Sequence, residues 1–478
     1  MGKCFRSDGL DQILLLPPSL HDWLPEKHLA RFVAGVVQTL DLSALYSSYD
    51  EKDGRGQAAY HPAMMVRVLL YGYCIGVASS RQIERKTYED VAFRYLSADE
   101  HPDYSTLSEF RKRHLNARAG LFTQALQLCQ KAGLVKLGHV AIDGSKIQAN
   151  ASKHKAMSYG RMSEAEQKLQ AEVDELLRRA DEADAAEDEK YGQGQRGDEL
   201  PAELARRGSR LEKIRAAKAE LETEAKQKAA EEKAAAEAKI AARREQEART
   251  GQKPGGRDPE LPDPEKAVPE DKAQRNFTDP ESRIMPDGAH KGSFVQGYNA
   301  QIAVDGQAQV IVATAITQEA NDKQQLAPML ERVEQNTGVR PEAASADSAY
   351  WSEAQVSDER VQGIDLHVAT GRQKQGQENN SASKPPQIPE KNSSLQQMKE
   401  KLKTEAGRAV YRMRKAIVEP VFGQIKERRG FRRFSFRGAA KVRAEWDLIC
   451  LTHNLLKLFR SGCAFGEGLK WSGAPVPA

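Results

Sequence analysis

The chain has 478 residues, enough for two or three domains, and is 39% hydrophobic and 29% charged with a formal net charge of +4. Its five cysteines, Cys4, Cys74, Cys129, Cys450 and Cys463, show no paired spacing, which excludes a disulfide framework and points to a reducing cytosol. No stretch reaches membrane-spanning length, and the apolar run at 13–16 is too short for a secretory segment, so a soluble cytoplasmic protein without a membrane partner is expected.

Residues 1–137 read as a helical domain. Phe32, Val33, Val36, Val37 and Leu40 recur at helical spacing. Pro62 opens a second helix over 64–76, at the first-turn position that tolerates proline. A third segment runs over 81–96. Ser105, with Ser108 and Glu109 nearby, reads as the start of a helix that carries Arg111, Lys112, Arg113 and His114. Two helices joined by a short turn, the second one basic, suit DNA docking, which makes Arg111 and Arg113 candidate contacts. An ordinary bundle with a charged surface fits the same pattern.

The pattern changes after Gly138. His139, Val140, Ala141 and Ile142 form a β-prone run that ends in Asp143 and Gly144. Two more β-prone runs, 294–304 and 309–316, flank the hairpin signal Asp305-Gly306. A helical pattern over 323–335, a short segment into Asp347 and a strand candidate at 364–369 follow. Strands, a helix, then further strands is an α/β order. Residues 161–249 interrupt it with Ala, Glu, Lys, Arg and Leu. They read as long polar helices, either an antiparallel coiled-coil arm or a solvated single helix. Residues 250–275 read as linker, and 373–394 as a flexible loop. The expected division is 1–137, a first core piece at 138–160, the insertion at 161–275, the remaining core at 276–460 and a tail at 461–478.

Residues 401–443 hold fourteen Lys or Arg against three Asp or Glu. Such a block attracts a polyanion, DNA being the commonest, or else forms a solvated tail. Val410, Ile417, Val418, Val421, Phe422 and Ile425 are interleaved with the charge. Glu419 lies seven residues from both Arg412 and Lys426, and one turn from Lys415, so a regular helix would put them on one face. An acid among cations there is a metal ligand with phosphate-binding neighbours or a plain ion-pair cluster. Phe431, Phe434 and Phe436 alternate with Arg432, Arg433 and Arg437, which suits a DNA track or an amphipathic packing segment. Cys450 and His453 have the spacing of half a zinc site, but with no second half they read as a buried helical pair.

Several segments together resemble DDE transposases of bacterial insertion sequences. They are Ala141-Ile142-Asp143-Gly144-Ser145-Lys146, Ala346-Asp347-Ser348-Ala349-Tyr350 and Ile417-Val418-Glu419-Pro420-Val421-Phe422-Gly423-Gln424-Ile425-Lys426, with Gly297-Tyr298-Asn299-Ala300-Gln301, Gly54-Arg55-Gly56 and Tyr60-His61-Pro62. The resemblance implies a ribonuclease H-like mixed sheet flanked by helices, with a helical N-terminal domain that binds DNA ends. It implies Asp143, Asp347 and Glu419 as catalytic acids that hold two Mg²⁺ or Mn²⁺ ions. Its Tyr-Arg-Glu-Lys signature implies Tyr411, Arg412, Arg414, Lys415 and Lys426 as DNA contacts. Arg414 lies one residue further from Glu419 than usual, whereas Lys415 has the usual distance, so the basic partner stays open. The implied partners are double-stranded DNA, at element ends and target, and further copies of the chain.

The chemistry asks for such groups. Two metals about 3.5–4 Å apart activate the attacking oxygen and stabilise the leaving one. Hard divalent cations prefer carboxylate oxygens. The three acids are therefore expected to converge, with Lys426 on a phosphate beside the scissile bond and Lys146 and Lys291 as weaker candidates for similar contacts. A catalytically inactive DNA-binding descendant and a structural coiled-coil protein are the alternatives.

Overall fold

The computed structural model describes residues 19–50, 58–191, 202–250, 259–287, 292–371 and 394–462. The run at 13–16, the Gly54-Arg55-Gly56 motif, Lys291, most of the loop at 373–394, most of the tail and part of the linker at 250–275 lie outside these residues.

The N-terminal part is helical: α1 (Leu29–Thr39), α2 (Ser43–Asp50), α3 (Pro62–Cys74), α4 (Ser80–Glu89), α5 (Val91–Ser97), α6 (Tyr104–Arg113) and α7 (Leu115–Lys131). Pro62 takes the first turn of α3, where its missing N–H has no helical partner to lose. The segment expected over 81–96 breaks at Asp90, whose carboxylate accepts the Ala92 N–H at 2.9 Å and starts α5. The cap of α6 is Asp103 rather than Ser105: Asp103 accepts the N–H groups of Ser105 and Thr106 at 2.8 and 3.0 Å.

The core strands are β1 (His139–Gln148), β2 (Ala156–Ser158), β3 (Gln274–Asn276), β4 (Arg283–Pro286), β5 (Phe294–Asp305), β6 (Ile311–Thr317), β7 (Ala343–Ala346) and β8 (Asp365–Val368). In the main sheet, β6 pairs with β5, β5 with β1, β1 with β7 and β7 with β8. The first two of these pairings are antiparallel and the last two parallel, while β4 lengthens the sheet at the start of β5.

Between β2 and β3 the chain runs out and back through α8 (Tyr159–Tyr191) and α9 (Ala202–Thr250). The two helices pair rather than standing alone. Glu166 meets Arg215 and Lys218 at 3.0 Å, and Glu172 meets Arg207 at 2.8 Å, so partners ascend one helix as they descend the other. A narrow seam of Met162, Leu169, Leu211, Ile214 and Leu221 lies between them. Arg275 of β3 joins Glu220 of α9 at 2.7 Å and ties the arm to its base.

Helices α10 (Leu326–Thr337), α11 (Glu353–Val356), α12 (Ser394–Lys403), α13 (Glu405–Gly423) and α14 (Ala439–Arg460) complete the described residues. The buried face of α13 packs on β1, β5, β7 and β8. Helix α14 is buried on every side, between β6 and helices α3 and α7. One apolar core therefore runs from Val33 and Leu69 of the N-terminal helices through α14 to Ile142 and Ile302 of the sheet.

Candidate active site

Parallel pairing places Ala141 opposite Ser345. Two residues further along each strand stand Asp143 and Asp347, at the edge where β7 has ended. Adjacent strands lie roughly 5 Å apart, so the register alone brings these two acids together although they stand 204 residues apart in the chain. Asp347 also caps the turn that follows it and accepts the Ala349 N–H at 2.9 Å.

Asp143 is the most perturbed acid here. Burial pushes its carboxyl up to about 6. The Arg414 guanidinium and the Gly144 N–H oppose that rise, while the negative charges of Asp347 and Asp322 add to it. Arg414 reaches Asp143 from α13, with Nη1 at 3.3 Å from Oδ2, and both side chains are largely buried. The Tyr411 ring lies beside Arg414, its centroid 5.9 Å from the guanidinium carbon. Burial raises the Tyr411 phenol above its ordinary range.

A polar network that sequence reasoning missed lies behind Gly144. Asp322 Oδ1 accepts amide N–H groups from both Asn299 and Gln301 at 2.6 Å. Lys146 Nζ approaches the same oxygen at 3.7 Å. The Tyr350 hydroxyl donates to Gln301 Oε1 and completes the link to the turn after Asp347. Gly144 is required by space: a Cβ there would overlap the Gln301 amide and the Asp322 carboxylate. Asn299, Gln301 and Tyr350 stood inside motifs of the resemblance without a role, and Asp322 carried no sequence signal beyond the acid itself.

Lys426 donates to Ser145 Oγ and, at 3.1 Å, to the Lys146 carbonyl. Burial holds its ammonium below the ordinary lysine range, as it does that of Lys146. Lys426 does not share a face with Arg412 and Glu419 as a regular helix would require. A π-helical turn at Gln424–Arg428 intervenes and, with its wider turn, shifts the phase. Arg412, Lys415 and Glu419 are exposed. Arg414 points to the sheet, and five residues of helix separate it from Glu419, about 140° around the axis at 3.6 residues per turn. Asp143 and Asp347 are thus brought together, while Glu419 stands on the outer side of α13. Among the described residues no three His, Cys, Asp or Glu side chains form a group able to hold a metal ion.

The other candidates separate cleanly. Arg111 is not free to meet DNA, and the expectation is corrected. It is 3% exposed, donates to the Ala78 carbonyl and, at 3.3 Å, to Ser435 Oγ, and lies 4.6 Å from the Phe436 ring centre. Arg113 remains at the surface, 4.0 Å from Glu109. Phe431, Phe434 and Phe436 are core side chains, and Arg432, Arg433 and Arg437 are exposed. Cys450 and His453 are buried in α14, as a helical pair would be.

The two ends of the chain match known families. Residues 18–113 match Transposase domain (DUF772), and residues 372–459 match Transposase DDE domain. Both matches are to transposase domains, and together they support a DDE transposase of an insertion sequence. The second match contains Tyr411, Arg414, Glu419 and Lys426, whereas Asp143 and Asp347 lie outside both. No curated protein and no solved structure matches the chain.

Proposed function

We propose that this transposase cuts DNA at the ends of its element and joins the freed 3′ ends to target DNA, with Asp143, Asp347 and Glu419 as its catalytic acids. The observation that carries the reading is the placement of Asp143 beside Asp347 at one strand edge, where Asp143 remains hard to ionise although Arg414 touches it. The strand order, with three antiparallel strands and two parallel ones beyond β1, supports a ribonuclease H-like core.

The donor chemistry of the Asp143–Asp347 pair fits a hard divalent cation: both are carboxylates, partly exposed, with repulsion between them that a cation would relieve. Mg²⁺ or Mn²⁺ held there would polarise the attacking and leaving oxygens of a phosphodiester. Asp143 and Asp347 hold their carboxylates at the open edge. The network of Asp322, Asn299 and Gln301 fixes the strand beneath them. Lys426, half-buried beside Ser145, offers positive charge to a phosphate one strand position further on. Glu419 is assigned as the third ligand, supplied from the outer side of α13 when DNA is seated. Asp322 already takes two amides and an ammonium, so it serves as an anchor rather than a ligand. Further copies of the chain would pair two element ends.

The test is cleavage of a labelled duplex taken from the DNA that flanks the chain's own reading frame, in Mg²⁺. Asp143→Asn, Asp347→Asn and Glu419→Gln should each lower cutting by at least about a thousandfold, the scale of losing a charge-stabilising group at the reacting centre, with binding of the duplex retained. Undiminished cutting by any one of them would remove that residue from the site.

A further inference from the structure

Helix α13 carries Glu419 into an irregular stretch. Pro420 sits inside the helix, and proline has no N–H. The Ala416 carbonyl, four residues earlier, therefore has no helical donor, and the proline ring pushes it outward. A side chain from elsewhere in the fold takes the missing place. Gln309 Nε2 donates to the Ala416 oxygen at 2.9 Å.

Gln309 is itself held with care. It lies in the tight connection between β5 and β6, in left-handed backbone with φ of 59°, a conformation that non-glycine residues adopt only when their surroundings impose it. Its Oε1 accepts from Lys457 Nζ at 2.7 Å, and its carbonyl lies 2.9 Å from His453 Nε2. Nδ1 of the same ring lies 2.8 Å from Gln424 Oε1, where the π-helical turn begins. Burial holds His453 far below its usual range, at about 3, so the ring is neutral and donates through one of its two nitrogens. Both irregularities that follow Glu419 are thus tied, through Gln309 and His453, to buried helix α14. The neighbouring Gly306 lies close to α13: a Cβ there would lie 3.2 Å from Ile417.

We infer that Gln309 is a positioning residue for DNA cleavage: by replacing the N–H that Pro420 lacks, it fixes the direction of α13 where Glu419 projects. The inference rests on the catalytic reading of Glu419 given above. In this inference the action of Gln309 passes through the backbone of Ala416.

A double-mutant cycle in the full-length protein tests it. Gln309→Met keeps an unbranched side chain but removes both the donor to Ala416 and the acceptor of Lys457 Nζ, the latter equally in either background. Pro420→Ala restores the helical N–H to the Ala416 carbonyl. Gln309→Met alone should lower the rate of cutting of the flanking-DNA duplex by about tenfold to a hundredfold, the scale of a small misplacement at a reacting centre, with its Kd unchanged. In the Pro420→Ala background the same substitution should change the rate by less than about twofold, because the carbonyl no longer needs Gln309. Urea unfolding should show the same dependence: a clearly larger fall in midpoint in the first background than in the second, where only the Lys457 bond is lost. Equal effects of Gln309→Met in both backgrounds would overturn the inference, as would a lowered midpoint without any loss of rate. A native chain that cuts no flanking DNA would overturn the catalytic reading instead, and the unfolding cycle would still decide whether Gln309 replaces the missing N–H.

Discussion

Replacing Asp143 by Asn should make the metal-free protein more stable at neutral pH while destroying its activity. The Asp143 carboxyl rises from an ordinary 3.8 to about 6 in the folded chain. Between those values the native state binds more protons than the unfolded state, so stability falls as pH rises through that window, and the whole penalty is present above pH 6. A shift of about two units corresponds to about 3 kcal/mol, at roughly 1.4 kcal/mol per unit. Asn keeps an oxygen for the Gly144 N–H, a bond of 2.9 Å in the native protein, but has no proton to lose. The variant and the native chain should therefore match near pH 4. By pH 7.5, with divalent cations chelated, the variant should lead by roughly 2–3 kcal/mol. Isothermal urea titrations at both pH values measure this difference. Adding Mg²⁺ should stabilise the native chain at pH 7.5 and leave the variant unmoved, because only the ionised carboxylate is a ligand. A variant less stable than the native chain at pH 7.5, or a lead that does not change with pH, would refute the reasoning.

Two further substitutions separate structural cations from functional ones. Arg111→Met should lower unfolding free energy by about 2–4 kcal/mol, since it removes a buried guanidinium that donates to the part-buried Ala78 carbonyl and to Ser435, without altering the salt dependence of DNA binding by the folded fraction. Arg113→Ala should change stability by no more than about 0.5 kcal/mol. If the α6 surface docks on a phosphate, the same variant should lower the salt slope of DNA binding by about 1. Lys426→Met should leave DNA affinity within about threefold and reduce cutting by about a hundredfold, measured in single-turnover assays, if its ammonium acts on charge that develops at the phosphate.

How much of this was legible in the sequence differs from residue to residue. Asp143 could be read because an acid that closes a short apolar run stands out, although β1 continues to Gln148, and the β5–β6 turn because Asp305-Gly306 sits between two β-prone runs. Arg111 was misread as a surface cation, although helix phase held the answer. Leu107, Phe110, Arg111 and His114 recur at three- and four-residue intervals, and all four are buried. Helix α14 was read only at Cys450 and His453, and its extent was not, because a helix buried on nearly every side has no polar face to give it a period. Asn299 and Gln301 alternate with apolar residues along β5 and so look solvent-facing, yet both are fully buried around Asp322. The π-helical turn at Gln424–Arg428 has no readable signature, and it invalidates face arguments that cross it, such as the one joining Glu419 to Lys426.

The distribution of charge around β1 says what the site lacks and what it can attract. Three carboxylates, Asp143, Asp347 and Asp322, feel one another there. Three cations stand close by, but two of them are committed elsewhere. Lys146 faces Asp322, and Lys426 bonds Ser145 and a backbone carbonyl. Only Arg414 touches Asp143, and a single guanidinium does not bring that carboxyl back to its ordinary range. Negative charge is therefore left over between Asp143 and Asp347, at an edge open to solvent, which is where a divalent cation gains most. The outer face of α13 has the reverse character, with Arg408, Arg412 and Lys415 exposed along successive turns that lead to Glu419. A cationic surface beside an anionic notch suits a phosphodiester whose non-bridging oxygens bind outside while the scissile bond reaches the acids. Under this arrangement the exposed arginines govern affinity and its salt dependence, and Asp143 with Asp347 governs rate. Arg408→Ala and Arg412→Ala together should thus weaken DNA binding and flatten its salt slope while leaving the rate of bound DNA within about threefold. A loss of rate on DNA that is still fully bound would place these arginines at the reacting phosphate instead.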